Sequence, residues 1–265
     1  MRIPRLHLFE LEDQPWFPAT IRDLATDCMH FIEGRFGMHQ PAVPLVAEIL
    51  LMSQAKCIVD LCSGGTGPMP ALLSDLAAQG LSVDIILTDR FPNLEAFERV
   101  AADSKGRISF RAAPVDARAV PSELRGLRTL FNSFHHFQPG NAVAVLRDAT
   151  QAGQPIAVFE IPDRRVRTLI SVLLLTPLLV ALVTPFIRPF RWRRLFWTFV
   201  LPLVPITCWW DGLVSQLRAY SPEELQRLAE TADAKTYGWR AGRVRIASPP
   251  GYLTYLMGYP NNEKA

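Results

Sequence analysis

Short apolar runs alternate with segments of helical periodicity through most of the chain. Strand-length apolar runs before residue 162 are KCIVDL, VDIILTD, ISFRAAPV, LRTLFNSF and PIAVFEI. Between them lie segments typical of helices, namely PMPALLSDLAAQG, NLEAFERVAAD, PSELRG and GNAVAVLRDATQAG. This alternation is typical of βαβ units, so it predicts an α/β protein with a parallel sheet and helices on both faces.

The same pattern extends to both ends of the chain. Residues 18–36 and 41–54 predict two helices ahead of the first strand, because their apolar residues recur at helical spacing. Ser221 followed by Pro222 predicts the start of a late helix. The last apolar runs, YGWRAGRVRI and GYLTYLMGYP, are joined by ASPP and predict an antiparallel hairpin at the sheet edge.

A long apolar segment interrupts the alternation. From Thr168 to Ile187 the chain carries no charge, and at about 1.5 Å per residue such a helix reaches about 30 Å, the thickness of a bilayer core. A second uncharged run extends from Leu195 to Trp210, and arginines lie between the two runs. A two-span hairpin would export these arginines, against the positive-inside tendency. We therefore expect proline-kinked helices buried in one leaflet, with an apolar lid or a dimer interface as the alternative.

These observations predict three parts. The 265 residues suit one large domain with an insertion: an N-terminal helical lid over 1–55, a core over 56–163 and 221–265, and an apolar, membrane-associated insertion over 164–220. The N-terminus lacks the apolar core of a secretory signal, so we expect a location at the cytoplasmic side of a membrane. A net charge of +3 without a basic face argues against nucleic acid as a partner.

The stretch IVDLCSGGTGP, residues 58–68, predicts a binding turn. A strand ends in Asp60, and the following Gly64, Gly65 and Gly67 let a ligand approach the backbone near a helix N-terminus. Dinucleotide folds use G-x-G-x-x-G, which is a different spacing. Asp60 also suits a cationic ligand with an amino-acid moiety better than a pyrophosphate.

Acids also end the next two predicted strands. Asp89 follows IILT, where a carboxylate can accept both hydroxyls of a ribose, and Asp116 lies in APVDA, where it can accept an adenine amine. In an open α/β sheet, ligands bind at the carboxyl ends of the strands. The alternative is that these acids only cap loops and helices.

With these motifs the sequence resembles the class I S-adenosylmethionine-dependent methyltransferases, from about Lys56 to Ile161 and again from Ser221 to Pro260. The resemblance implies a Rossmann-like sheet with a terminal antiparallel strand, and S-adenosyl-L-methionine as the cofactor. Cys62 stands where that family often has glycine. The residues that the resemblance places at the cofactor are Asp60, Gly64, Gly65, Gly67, Asp89, Arg90, Asp116, Ala117 and Asn132.

The motif FNSFHHF, residues 131–137, follows the fourth strand, where this family places groups that face the substrate. His135 or His136 would act as a base toward an oxygen nucleophile, since histidine titrates near neutral pH. Glu160, near the end of the fifth strand, is a further catalytic candidate. The alternatives are a packed histidine, a solvated histidine and a structural hydrogen bond. No histidine or cysteine has zinc-ligand spacing, so no metal is expected.

Two other stretches are candidates for substrate contact. ELEDQPWFP, residues 10–18, contains Asp13, Trp16 and Phe17, and this family often closes its N-terminal segment over the substrate. Asp211 and Tyr220 follow the apolar insertion and either face the substrate or brace the return of the chain to the sheet. Packing of the N-terminal stretch onto a core is the alternative for the first group.

The sequence thus predicts a methyltransferase that acts on a hydrophobic small molecule or lipid, at or near a membrane. One alternative is an NAD(P)-dependent oxidoreductase, which the glycine spacing and Asp60 disfavour. Another is a non-catalytic, membrane-attached module that binds a nucleoside ligand.

Overall fold

The computed structural model of the protein describes residues 3–248 and 250–261. The chain divides into two compact units, each made from two separate pieces of sequence. The first unit contains Met1–Gly37 and Pro162–Tyr220, and the second contains Met38–Ile161 and Ser221–Ala265.

The second unit is built on a seven-stranded sheet in the described part of the chain, with strand order β3-β2-β1-β4-β5-β7-β6. Strands β1 to β5 pair in parallel, whereas β7 is antiparallel to both of its neighbours, β5 and β6. The predicted parallel sheet and terminal antiparallel pair are confirmed. The strands are β1 Cys57–Asp60, β2 Asp84–Leu87, β3 Ile108–Phe110, β4 Leu127–Phe131, β5 Ile156–Glu160, β6 Tyr237–Ile246 and β7 Gly251–Pro260.

Helices of the second unit flank this sheet. Their apolar faces and the central strands enclose a core in which Ile58, Phe97, Leu127 and Phe159 are among the fully buried residues. Ser221 and Glu224 form a reciprocal capping box at the start of the last helix. The helices, numbered in chain order, are α2 Val43–Ser53, α3 Met69–Ala78, α4 Leu94–Asp103, α5 Pro139–Gln151 and α9 Pro222–Ala232.

Two predictions about the segment between β2 and β4 were wrong. The third strand ends at Phe110 and does not extend to residue 115, because its partner β2 ends at Leu87. The segment PSELRG, residues 121–126, forms only a turn, in which the Leu124 N–H donates to the Pro121 carbonyl. One turn of helix fixes several dihedral angles for a single hydrogen bond, so a segment this short does not form a helix unaided.

The first unit is helical and contains the apolar segment. α6 contains Pro177 and continues past it to Val183. A separate apolar core joins α1, α6 and α8 through residues such as Leu24, Val180 and Val204. Its helices are α1 Ala19–Arg35, α6 Val166–Val183, the short α7 Trp192–Leu195 and α8 Leu203–Arg218, with a 3-10 turn at Thr184–Phe186 and a π-helical turn at Phe196–Val200.

Candidate functional site

The glycine turn connects the end of β1 to α3 and has an unusual backbone. Cys62 (φ 60°), Gly64 (φ 54°) and Gly67 (φ 53°) lie in the left-handed region, which favours glycine. A Cβ built on Gly67 would meet no heavy atom within 4 Å, so this glycine is required by its backbone conformation while the space beside it stays open. The turn therefore exposes backbone to a ligand at the carboxyl edge of the sheet.

Asp60 ends β1 and is almost completely buried. Its Oδ1 accepts a hydrogen bond from Thr129 Oγ1 at 2.6 Å, and its Oδ2 accepts one from Ser63 Oγ at 2.7 Å. Burial raises the pKa of Asp60 to about 7, although these two hydroxyls favour the charged form. A buried carboxyl with this pKa gains stability from a cation placed beside it.

Asp89, which follows β2, is tied to the glycine turn. Its Oδ2 accepts the backbone N–H of Gly64 at 2.7 Å, and its Oδ1 accepts that of Phe91 at 2.7 Å. The side chain is half-buried, and Arg90 beside it is exposed. Each carboxylate oxygen accepts more than one hydrogen bond, so Asp89 retains acceptor capacity for hydroxyl groups.

Asp116 lies in the loop after β3 and forms an ion pair with Arg118, whose Nη2 is 2.6 Å from its Oδ2. Hydrogen bonds from Arg118 lower the pKa of Asp116 to about 2. The loop lies next to Asp89, because the Val115 N–H donates to the Asp89 carbonyl at 2.8 Å. The sheet thus brings the three acids to one edge, and an adenine amine at Asp116 would share its carboxylate with Arg118. Ala117, next in the chain, is buried.

A second cluster lies at the ends of β4 and β5. Glu160 is fully buried, and its two oxygens accept the Phe134 N–H at 2.7 Å and approach His135 Nδ1 at 2.5 Å. We assign the proton to His135 Nδ1 from this hydrogen bond, which leaves Nε2 as the basic atom. The ring of His136 stands 4.4 Å from that of His135.

Asn132 positions the loop of this cluster. Its backbone has a left-handed conformation (φ 48°), its N–H donates to the Phe159 carbonyl, and its Oδ1 accepts the Ile161 N–H at 2.8 Å. Its Nδ2 lies 3.4 Å from His39 Nε2. The side chain therefore links the ends of β4 and β5, and a role at the cofactor stays a prediction.

Some supporting residues were missed by the sequence analysis. Thr129, Ser63 and Thr88 surround the buried end of β1, where the Thr88 hydroxyl donates to the Asp60 carbonyl. The available signal for Thr129 was a pair of polar residues, Arg128 and Thr129, between the apolar residues of β4. His39, whose ring meets Phe131 edge-on at 5.3 Å, had no signal in the sequence.

The predicted substrate and lid residues lie in the first unit. Asp13 pairs with Arg218 at 2.6 Å, and the carboxylate of Asp211 accepts the backbone N–H groups of Leu11 and Glu12. Their observed contacts thus attach the N-terminal segment to α8. Two aromatic contacts complete this description: Trp16 is exposed and meets Phe17 edge-on at 6.1 Å, and Tyr220 is buried beneath the guanidinium of Arg5 at 4.0 Å. Substrate contact by these residues stays a prediction.

Known structures share the fold of this chain. The S-adenosylmethionine-dependent methyltransferase SibL, in its apo form, is 15% identical with a TM-score of 0.51, and the match covers 95% of this chain and 61% of SibL. An O-methyltransferase family protein from Burkholderia thailandensis is 17% identical with a TM-score of 0.49, covering 88% of this chain and 59% of that protein. The chain therefore spans about three fifths of the length of these two proteins.

A third similar structure is a single domain. The methyltransferase domain of bacterial CtHen1-CN is 17% identical with a TM-score of 0.49, and the match covers 84% of this chain and 99% of that domain. No protein-family model matches the sequence, and no curated protein matches it. The strand order and the antiparallel β7 establish the fold of the class I methyltransferases.

Proposed function

We propose that this protein is an S-adenosyl-L-methionine-dependent methyltransferase. The observation that carries the proposal is the glycine turn held between two carboxylates, Asp60 behind it and Asp89 bonded to Gly64. In a methyltransferase fold this turn lies at the carboxyl ends of adjacent parallel strands, where ligands of open α/β sheets bind.

The residues present fit this cofactor. Asp60 supplies a buried carboxylate for the ammonium of the methionine part, and its described side-chain hydrogen bonds come from the hydroxyl groups of Thr129 and Ser63. Asp89 supplies acceptors for the ribose hydroxyls. The open space beside Gly67 leaves room for the ligand. The loop at Asp116 and Ala117 would bind the adenine. When bound, the cofactor supplies a methyl group on a sulfonium.

The chain's own contribution is positioning and proton transfer. Alignment of reactants alone supplies about 7–11 kcal/mol toward such a displacement. Glu160 holds His135 in one tautomer, so that Nε2 accepts the proton of an acceptor hydroxyl. His136 is the adjacent candidate for this role. A hydroxyl acceptor is favoured over a neutral amine because a hydroxyl oxygen must lose its proton to a base as it is methylated, whereas a neutral amine attacks without one.

The acceptor that we propose is a hydrophobic small molecule or a lipid, methylated at the cytoplasmic side of a membrane. This part of the proposal is supported by the exposed apolar residues of the first unit, which include Leu174, Leu178 and Phe186. An acceptor of this kind partitions into the same apolar surroundings that such residues favour.

The test is a calorimetric titration of the full chain with S-adenosylhomocysteine and, separately, with NADH. We expect binding of the first ligand only, with at least tenfold weaker binding after Asp89→Ala. Asp84→Ala is the matched control, because Asp84 is an exposed acid at the opposite end of the same strand, where it pairs with Arg107. Binding of NADH alone would favour the oxidoreductase, and binding of neither ligand would reject the nucleoside site.

The acceptor is tested separately. Radiolabelled S-adenosyl-L-methionine, labelled in the methyl group, is incubated with the protein and extracted membrane lipids, and the organic phase is counted. Label in that phase, absent with His135→Ala, supports a lipophilic acceptor. Label that stays in the aqueous phase with a water-soluble acceptor would contradict it.

A further inference from the structure

An exposed apolar stripe runs along the whole of α6. An 18-residue stretch within Val166–Phe186 has a mean hydropathy of 2.4, and only 11% of its residues are buried. Five apolar residues spaced four apart along this segment, from residue 170 to residue 186, are each between 49% and 66% exposed. Residues four apart are displaced by about 40° around a helix, so this stripe winds about 160° around the helix axis from its first residue to its last. The stripe consists of Ile170, Leu174, Leu178, Leu182 and Phe186.

The chain after α6 adds to this apolar surface. The helical pieces Trp192–Val200 and Leu203–Arg218 meet at an angle of 74°, so they do not form one straight helix. Trp192, the most exposed large apolar residue here, is 77% exposed. Other exposed apolar residues on these pieces are Phe196, Phe199, Val200, Leu203 and Ile206.

Arginines lie at both ends of the stripe. Arg167 is exposed in the first turn of α6, and Arg188 and Arg193 are exposed after its last turn. Each arginine near an anionic membrane surface contributes on the order of 1 kcal/mol to binding. Cationic side chains at the ends of an apolar surface suit the anionic headgroups of a membrane interface.

The neighbours of α6 are incompatible with a crossing of the bilayer. α6 packs on α8, where Trp209 Nε1 donates to the Leu173 carbonyl and Gly212 lies next to Val172. Beyond this point α8 carries the buried charges of Asp211 and Arg218.

The N-terminal segment runs beside this part of α8 in a non-helical conformation. The Leu6 N–H donates to the Leu217 carbonyl, and Trp210 Nε1 donates to the Phe9 carbonyl. Leu6 and Phe9 themselves are exposed. Irregular backbone does not face hydrocarbon in a membrane, because its polar groups need partners there. A bilayer that surrounded α6 would also surround this segment.

From these observations we infer that α6 and the segment 187–206 form a monotopic docking surface for one leaflet of an anionic bilayer, with α6 lying parallel to the membrane plane. The stripe enters the acyl region while the arginines at both ends contact headgroup phosphates. An orientation along the membrane normal would place the two groups of arginines in opposite leaflets.

The surface is fixed by internal contacts of the first unit. Arg194 is buried and pairs with Asp27 at 2.6 Å. Its Nη1 also donates to the carbonyl groups of Ile187 and Pro189. The turn that carries Arg188 and Phe190 is thereby held to α1, so the surface is formed before it meets a membrane. This inference does not depend on the proposed methyl transfer.

The first test is co-sedimentation of the full chain with phosphatidylcholine vesicles, with and without phosphatidylserine. We expect binding to the anionic vesicles that weakens at high salt, and a loss of at least tenfold in partitioning for the double variant Leu174→Asp, Leu178→Asp. The matched control is Leu51→Asp, because Leu51 is an equally exposed leucine on α2 of the second unit. Equal loss with the control would overturn the assignment of the surface.

The second test measures depth. Tryptophan is introduced as Ile170→Trp or Leu178→Trp, and the fluorescence gained over the unchanged protein is quenched with lipids brominated near the glycerol end or the methyl end of the acyl chain. If α6 lies parallel to the membrane plane, quenching should be equal at the two positions and strongest with the bromines near the glycerol end. These positions are about 12 Å apart along the helix, so a spanning helix predicts different depths.

Two results would overturn the inference. One is stronger quenching of Leu178→Trp by the deep bromines, which indicates a span. The other result combines two observations: the protein does not bind vesicles, and sedimentation velocity shows a dimer that the double variant does not form. In that case a second copy of the chain covers the stripe. Cofactor binding measured in parallel separates either result from a failure of the methyltransferase proposal.

Discussion

Thr129 Oγ1 donates a hydrogen bond to Asp60 Oδ1 at 2.6 Å, and through it the end of β1 depends on a hydroxyl of β4. The two strands are neighbours in the sheet although two other strands and two helices separate them in sequence. The contact stabilises the charged form of a carboxyl that burial would otherwise keep protonated. The negative charge of Asp60 at the glycine turn therefore depends on Thr129, a residue that lies outside the glycine motif.

The first prediction concerns pH and ligand affinity. Because Asp60 has a pKa of about 7, a cationic ligand beside it requires the carboxylate, so S-adenosylhomocysteine affinity should fall about tenfold per pH unit below pH 7. Asp60→Asn should weaken binding at pH 8 and remove this dependence. Calorimetric titrations at several pH values check both. A pH profile unchanged by Asp60→Asn would contradict the assignment.

The second prediction concerns stability. Burial raises the pKa of Asp60 from 3.8 to about 7, so the folded chain binds the extra proton between these values. The contribution of this group is therefore present below about pH 4 and is lost as the pH rises to about 7. Thr129→Val removes a hydrogen bond to the charged carboxylate, so it should lower the free energy of unfolding by about 1–3 kcal/mol at pH 8 and by less at pH 6. Urea unfolding at both pH values measures it, and Thr129→Ser, which keeps the hydroxyl, is the control.

The third prediction concerns the pair of His135 and Glu160, which we propose acts in proton transfer and not in cofactor binding. Glu160→Gln should lower kcat by about 100-fold or more with an oxygen acceptor, because the glutamine no longer fixes the histidine tautomer or stabilises its charged form. Dissociation of S-adenosylhomocysteine should change little, since the pair lies outside the glycine turn. His136→Gln is the matched variant. A larger loss of kcat with His136→Gln would make His136 the base.

The fourth prediction concerns the buried ion pair of the first unit. Arg194→Met leaves Asp27 without its partner and frees the carbonyl groups of Ile187 and Pro189, so it should lower the free energy of unfolding by about 3 kcal/mol. Arg167→Met, at an exposed arginine of α6, should change it by less than about 0.5 kcal/mol. Chemical denaturation measures both variants, and hydrogen exchange at residues 187–190 should accelerate only in the first.

The fifth prediction concerns the terminal hairpin. A Cβ on Gly258 would stand 2.1 Å from Trp239 Cζ3, and the hydrogen bond of the Trp239 indole to the Asp233 carbonyl holds that ring in place. Gly258→Ala should therefore destabilise the protein by about 3 kcal/mol. Gly140→Ala, where a Cβ meets nothing within 4 Å, should change stability by less than about 1 kcal/mol. Thermal unfolding compares them, and equal shifts in Tm would refute the close approach.

Local patterns were sufficient for much of the fold. The bounds of β6 and β7 agree with the two apolar runs read from the sequence, because Ser248 and Pro250 mark the turn between them. The capping box at Ser221 is likewise a local signal. By contrast, the length of β3 depends on where its neighbour β2 ends, which is not encoded within residues 108–115.

In the candidate site, too, local sequence signals were sufficient for some residues, whereas the roles of others depend on contacts between distant segments. Asp60 and Asp89 were found because each follows an apolar strand, and Arg118, the partner of Asp116, stands only two residues away in sequence. Thr129 and His39 were missed because their relevance depends on which strand lies beside β1 and on how the loop after β4 folds. Pro177 lies inside α6, which continues past it to Val183, so this proline does not mark the end of the helix.

The pairing of Arg218 with Asp13 joins residues 205 positions apart, and this separation has a consequence for biosynthesis. Ribosomes add about 5–20 residues per second, so the N-terminal segment leaves the exit tunnel about 10–40 s before its partners on α8 exist. During this interval the apolar face of α1 has no core to enter. Nascent chains of this protein should therefore recruit holdase chaperones, and removal of those chaperones should reduce the yield of folded first unit more than that of the second.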